Sequence, residues 1–99
     1  LIDVLKVIDL ADAPHVEREL MLIKVATRTE IARSEVHRNV DIFRARILDV
    51  TAQHFTIEVT GTSEKLTAFA DVMNHCADIT ESARTGVVGL SRGDRALRV

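Results

Sequence analysis

Residues 46–64 read RILDVTAQHFTIEVTGTSE, and this stretch decides the fold. Two short runs, Arg46 to Thr51 and His54 to Thr60, are separated only by Ala52-Gln53, so they predict a hairpin. The turn lacks Asn-Gly or Asp-Gly, which leaves its type open. The second run alternates cleanly, with Phe55, Ile57 and Val59 on one face and His54, Thr56, Glu58 and Thr60 on the other. Gly61 ends it. Thr62-Ser63-Glu64 then supplies a capping hydroxyl and an acid for the positive end of a helix dipole.

Outward from the hairpin, a helix is expected on each side. Upstream, Val36, Val40 and Phe43 fall at i, i+4 and i+7 of a helix over Arg33 to Arg44, capped by Ser34 or Thr29. Glu35, Arg38 and Asp41 point away from that face. Downstream, Leu66, Phe69, Ala70 and Met73 form the apolar stripe of the helix that Thr62 opens. Val16 to Thr27 is a strand whose middle, Leu20-Met21-Leu22-Ile23, is apolar on both faces, as for a central strand. Ile79 to Thr85 reads as another. The order from Val16 is therefore βαββαβ. With right-handed crossovers this is an α+β, ferredoxin-like sandwich, an antiparallel four-stranded sheet with both helices on one face. Thr56 and Glu58 belong to the other, open face. An extra strand, Leu1 to Ile8, precedes the unit across the turn-forming linker Asp9 to Pro14. The expected division is residues 1–10, 11–85 and a tail over 86–99.

Composition bounds the function. The chain has 99 residues, 46% apolar and 28% charged, with a formal net charge of −2. That describes one small globular domain, not a disordered segment or a strongly basic nucleic-acid binder. A domain of this size buries only about 65% of its unfolded surface, so self-association or a neighbouring domain is expected to support it. No Trp or Tyr is present, which removes the usual anchors of sugar, base or quaternary-amine sites. The single cysteine, Cys76, fits a reducing compartment, the cytoplasm. No apolar run approaches the roughly 18 residues that cross a bilayer, and no membrane association is expected. The start has neither an initiator Met nor the pattern of a signal peptide, and is read as cut from something longer.

Chemistry-bearing patterns are sparse. His75-Cys76 are adjacent, His37 and His54 lie elsewhere, and no H-x-x-x-H or C-x-x-C pair exists, so no metal site is expected. A metal-sensing ferredoxin-like domain is the alternative this pairing raises. Arg38-Asn39 suggests an acyl-phosphate hydrolase, but the glycine-rich cradle such chemistry needs is missing from Arg28-Thr29-Glu30-Ile31-Ala32. Asp41, Glu35 and Glu58 are isolated acids, and Ser63 and Ser34 read as caps. No catalytic residue and no cofactor is assigned.

The tail GVVGLSRGDRALRV differs from the rest. From Arg84 to Val99 it holds four arginines against one acid. Val87, Val88 and Leu90 fit no amphipathic helix. The two readings are a tail folded back on its own domain, or a docking segment. In the second, Gly86, Val87, Val88, Gly89, Leu90, Arg92 and Asp94 form the partner surface. Gly86, Gly89 and Gly93 would allow positive φ or close approach, the apolar trio would anchor, and Arg92 would pair with a carboxylate. The lack of interleaved aromatics argues against nucleic acid.

Four segments carry a family resemblance. They are His15 to Val25 (HVERELMLIKV), Arg38-Asn39 with Ile42-Phe43-Arg44, Thr60-Gly61-Thr62-Ser63 with Lys65-Leu66, and Ala83 to Asp94 (ARTGVVGLSRGD). The chain resembles the C-terminal domain of the small, regulatory subunits of acetolactate synthase, in the family's order from Leu1 to about Arg95. The resemblance implies a non-catalytic subunit that binds and activates the thiamine-diphosphate-dependent catalytic subunit and helps confer valine-type feedback inhibition. It implies that Leu1 to Ile8 is the last strand of an upstream ACT domain, whose effector loop has no counterpart here. No effector-binding residue is therefore assigned, and a homodimer is expected.

Overall fold

The computed structural model describes residues 14–94. The expected first strand, Leu1 to Ile8, and residues 95–99 of the tail lie outside them. The elements are β1 (His15–Ala26), α1 (Glu30–Ile42), β2 (Arg46–Val50), β3 (His54–Gly61), α2 (Ser63–Cys76), β4 (Asp78–Arg84) and β5 (Val88–Ser91). The antiparallel sheet has the order β2-β3-β1-β4, with β5 also pairing β1. This is the ferredoxin-like βαββαβ arrangement, with one strand added after it.

The helices start and stop for local reasons. Thr29 caps α1, its hydroxyl accepting from the Ala32 N–H at 3.0 Å. The helix thus begins three residues before the expected Arg33. Ile31, exposed in the first turn, had hidden that turn from the apolar periodicity. At the other end Arg44 adopts φ 56°, while Ala45 N–H reaches the Val40 carbonyl at 2.8 Å and Arg44 N–H the Asp41 carbonyl at 3.2 Å. That is a Schellman closure with arginine where glycine is favoured. Thr62 caps α2 by accepting from the Lys65 N–H at 3.2 Å.

The hairpin turn without glycine is held by side chains. Thr51 N–H donates to the His54 carbonyl at 2.9 Å, and its hydroxyl accepts from the His54 N–H at 3.0 Å. Arg33 Nη1 donates to the Ala52 carbonyl at 2.9 Å, and Thr27 N–H to the Gln53 carbonyl at 2.7 Å. The turn's backbone groups are satisfied without left-handed residues.

Alternation builds the core. Met21, Ile23 and Val25 of β1 and Phe55, Ile57 and Val59 of β3 pack under Val36 and Val40 of α1 and Leu66, Phe69 and Met73 of α2. The stripe expected on α2 is buried apart from Ala70, which is only partly covered. Phe43 meets Phe69 edge to face, with ring centres 5.2 Å apart. The helices thus cover one face. The other carries Thr56 and Glu58, as expected, with Lys24 opposite Glu81.

Candidate docking surface

The fold makes β1 the organising strand. One edge pairs β3 from Glu19, opposite Gly61, to Ala26, opposite His54. The other pairs β4 from Ala26 back to Met21, opposite Arg84, then β5 from Arg18, opposite Val88, to His15, opposite Ser91. Beyond Glu19 the sheet therefore narrows to two strands. The tail folds back on its own domain as a strand and prolongs the sheet into a β-ribbon. The described molecule is accordingly elongated, 51 × 24 × 20 Å.

The seven residues expected to form a partner surface divide between the ribbon's base, body and tip. Gly86, at φ +87°, and Val87 form the base. Thr85 lies along Leu20, its N–H donating to the Leu20 carbonyl at 3.0 Å and its hydroxyl accepting from the Leu20 N–H at 3.1 Å. Because Val88 stands opposite Arg18, the tail strand carries one extra residue here, a bulge. In the body, Val88 and Leu90 share a face with Arg18 and Val16, while Gly89 lies opposite Glu17 on the other face. Val16 is 36% exposed, Val87 48%, Val88 69% and Leu90 75%. The apolar trio is accessible in one short segment, which is the requirement for an anchor. At the tip, Arg92 is exposed. Its Nε donates to the His15 carbonyl at 3.0 Å and its backbone N–H to the Pro14 carbonyl at 3.2 Å, so it closes the ribbon with one edge of a guanidinium that carries five N–H donors. Gly93 takes φ +70° and Asp94 is exposed.

The base also holds a charge cluster that the sequence reading missed. Glu19, 7% exposed, points to the helix side of the sheet. Its carboxylate takes a two-pronged contact from Arg84, Nη2 to Oε1 at 2.8 Å and Nε to Oε2 at 3.2 Å. Gly86 N–H donates to the same Oε2 at 3.1 Å. Arg84 continues to the Ser63 carbonyl and hydroxyl, each at 3.1 Å, and to the Thr67 hydroxyl at 3.2 Å, in the first turns of α2. The Arg84 guanidinium, by hydrogen bond and charge, holds the Glu19 carboxyl below its ordinary value, with the Gly86 N–H adding to the effect. The available signal was parity. Counting back from Met21, Ile23 and Val25 places an acid at an inward-facing position, which demands a partner.

Elsewhere, His75 and Cys76 line a shallow groove with Ile31, Glu35, Asn39 and Val72. His75 Nδ1–H donates to the Asp71 carbonyl at 2.7 Å. Burial, and then the Glu35 carboxylate, push the Cys76 thiol up, away from a thiolate ligand or nucleophile. Among the described residues no group of three or more His, Cys, Asp and Glu is placed to hold a metal ion. Arg38 is ion-paired to Glu35, and the Asn39 amide donates to the Glu35 carbonyl at 2.8 Å. Both are engaged on their own helix. No described helix is long and apolar enough to cross a membrane.

Residues 18–93 match the family described as the small subunit of acetolactate synthase. The chain belongs to that family. It is 50% identical over 98 residues to the acetolactate synthase isozyme 3 small subunit of Salmonella typhimurium, covering 99% of this chain and 60% of that protein. It is 51% identical over 92 residues to the acetolactate synthase small subunit of Aquifex aeolicus, covering 93% of this chain and 47% of that one. The crystal structure of the acetolactate synthase small subunit from Thermotoga maritima superposes with a TM-score of 0.75 at 36% identity, over 83% of this chain and 49% of that chain. The chain thus spans about half to three-fifths of the length of these small subunits. The family match runs from Arg18 through β5 to Gly93, so it covers the tail strand as well as the βαββαβ body.

Proposed function

We propose that this chain is the C-terminal domain of an acetolactate synthase regulatory subunit, and that its ribbon docks to a partner surface of the assembled enzyme. The partner is the catalytic subunit, which the chain activates and to which it helps confer valine-type feedback inhibition in the cytoplasm. Regulation of this kind is a coupling free energy between an effector site and the active site, typically about 1–3 kcal/mol. The effector site belongs to an ACT domain preceding this one, and the chain works as a homodimer. It contacts neither nucleic acid nor membrane, and no cofactor is assigned to it.

The observation that carries this reading is the family match, which extends through the exposed strand Val88–Ser91. The apolar side chains there are supported by the sheet yet turned to solvent, the state expected of a pre-formed anchor. The test is reconstitution. Purified catalytic subunit is assayed for acetolactate formation alone and with increasing amounts of this chain. A saturable rise in rate supports the proposal, and a rate unchanged at high excess refutes the activating role.

A further inference from the structure

We infer that the Glu19–Arg84 pair is a latch that holds the tail strand in place on β1 where the ribbon leaves the domain body, making these two residues positioning residues for docking. The consequence for docking rests on the reading above, whereas the latch itself is a property of the fold.

Three observations converge at one point. The four-stranded body stops where Glu19 meets Gly61, so everything past it is a two-stranded ribbon. Such a ribbon has no core of its own and is marginally ordered in isolation. At the same level the opposite strand carries its extra residue, and Gly86 takes a left-handed φ of +87°. A bulge with a left-handed glycine is where a ribbon bends and twists. Across that bend lies the Glu19 carboxylate, with Oε2 holding the Gly86 N–H at 3.1 Å and the Arg84 Nε at 3.2 Å. Arg84 is simultaneously anchored to Ser63 and Thr67 of α2. One carboxylate thus joins the bulge, the central strand and, through Arg84, the start of a helix. A helix-facing acid is not required for packing there, because an apolar residue at position 19 would continue the Met21-Ile23-Val25 row. The acid is suited to reading out where Gly86 sits. The surface it orients, Val88 and Leu90, lies two and four residues further along the same strand.

Hydrogen exchange on the full chain tests the latch without any partner. In Glu19→Gln the amides of residues 88–91 are expected to exchange about tenfold faster or more, while those of Met21 to Val25 keep their rates, as for a local opening. Gly86→Ala provides a second variant that leaves the ion pair untouched. A Cβ there meets nothing within 4 Å, so its effect is the backbone strain at the bulge, and the same local acceleration is expected. Equal acceleration in ribbon and core would reduce Glu19 to general stabilisation, and no acceleration in either variant would remove the latch. The positioning role has its own readout. In the Cys76→Ser background, a cross-strand disulfide from His15→Cys and Ser91→Cys pins the ribbon tip. It is expected to restore to Glu19→Gln the affinity for the catalytic subunit that the single change loses. Failure of the disulfide to restore affinity, with ribbon exchange slowed, would contradict positioning. If the parent chain fails to bind the catalytic subunit, the docking reading falls and the exchange pattern still decides the latch.

Discussion

At the scale of single residues, two positions show chemistry overriding local preference. Arg44 holds φ 56° at the end of α1, a conformation that glycine adopts without a Cβ penalty. Its side chain is exposed, so Arg44→Gly is expected to stabilise the chain by about 1 kcal/mol, read as a higher urea midpoint. Glu19 is the second. Its folded-state carboxyl lies below the ordinary 4.5 because Arg84 and the Gly86 N–H favour the charged form. A depressed folded value means that the stabilisation is present above the unfolded value and is lost as pH falls through the folded one. The stability gap between the parent and Glu19→Gln should therefore be level above about pH 4.5 and close progressively below it, in thermal melts from about pH 7 to pH 2. Glu81, lowered in the same direction by Lys24, sits on the open face. Water screens that pair, so Glu81→Gln should change the acid limb far less.

At the scale of elements, what was readable in the sequence was whatever obeys a period. The alternation of Phe55, Ile57 and Val59 placed β3 to within one residue, the strand running on to Gly61, and the spacing of Leu66, Phe69 and Met73 placed the buried stripe of α2. These are the buried side chains that form the core. Elements that depend on side-chain capping or on a distant strand were harder to read. The first turn of α1 is set by Thr29 and carries an exposed Ile31. The hairpin turn is built from Thr51, Arg33 and Thr27 without turn residues. Strand β5 lies in a glycine-interrupted run with no alternation, and it is a strand because the N-terminal third of β1 offers it an edge. Glu19 stayed hidden for the complementary reason, since its partner is 65 residues away. The ribbon's apolar face also permits a prediction about its own energetics. Val88 and Leu90 are largely in water already, so Val88→Thr with Leu90→Thr leaves a β-branched residue at each site and should change the unfolding free energy by no more than about 0.5 kcal/mol per site. Urea titration of the double variant measures this.

At the scale of the whole molecule, the structure is a βαββαβ body with a two-stranded ribbon growing from its central strand. The body's helix side is closed by the core, and among the described residues no group of three or more His, Cys, Asp and Glu is placed to hold a metal ion. The ribbon exposes Val88 and Leu90 together, and the small-subunit family match covers its tail strand. Binding, not chemistry, is the property to measure. The chain is titrated into the acetolactate synthase catalytic subunit by calorimetry, beside the Val88→Thr, Leu90→Thr variant. Each of these side chains is worth about 1.5–3 kcal/mol when buried, so the predicted result is saturable binding by the parent and at least tenfold weaker binding by the equally stable variant. Equal affinity for the two would contradict docking through the ribbon.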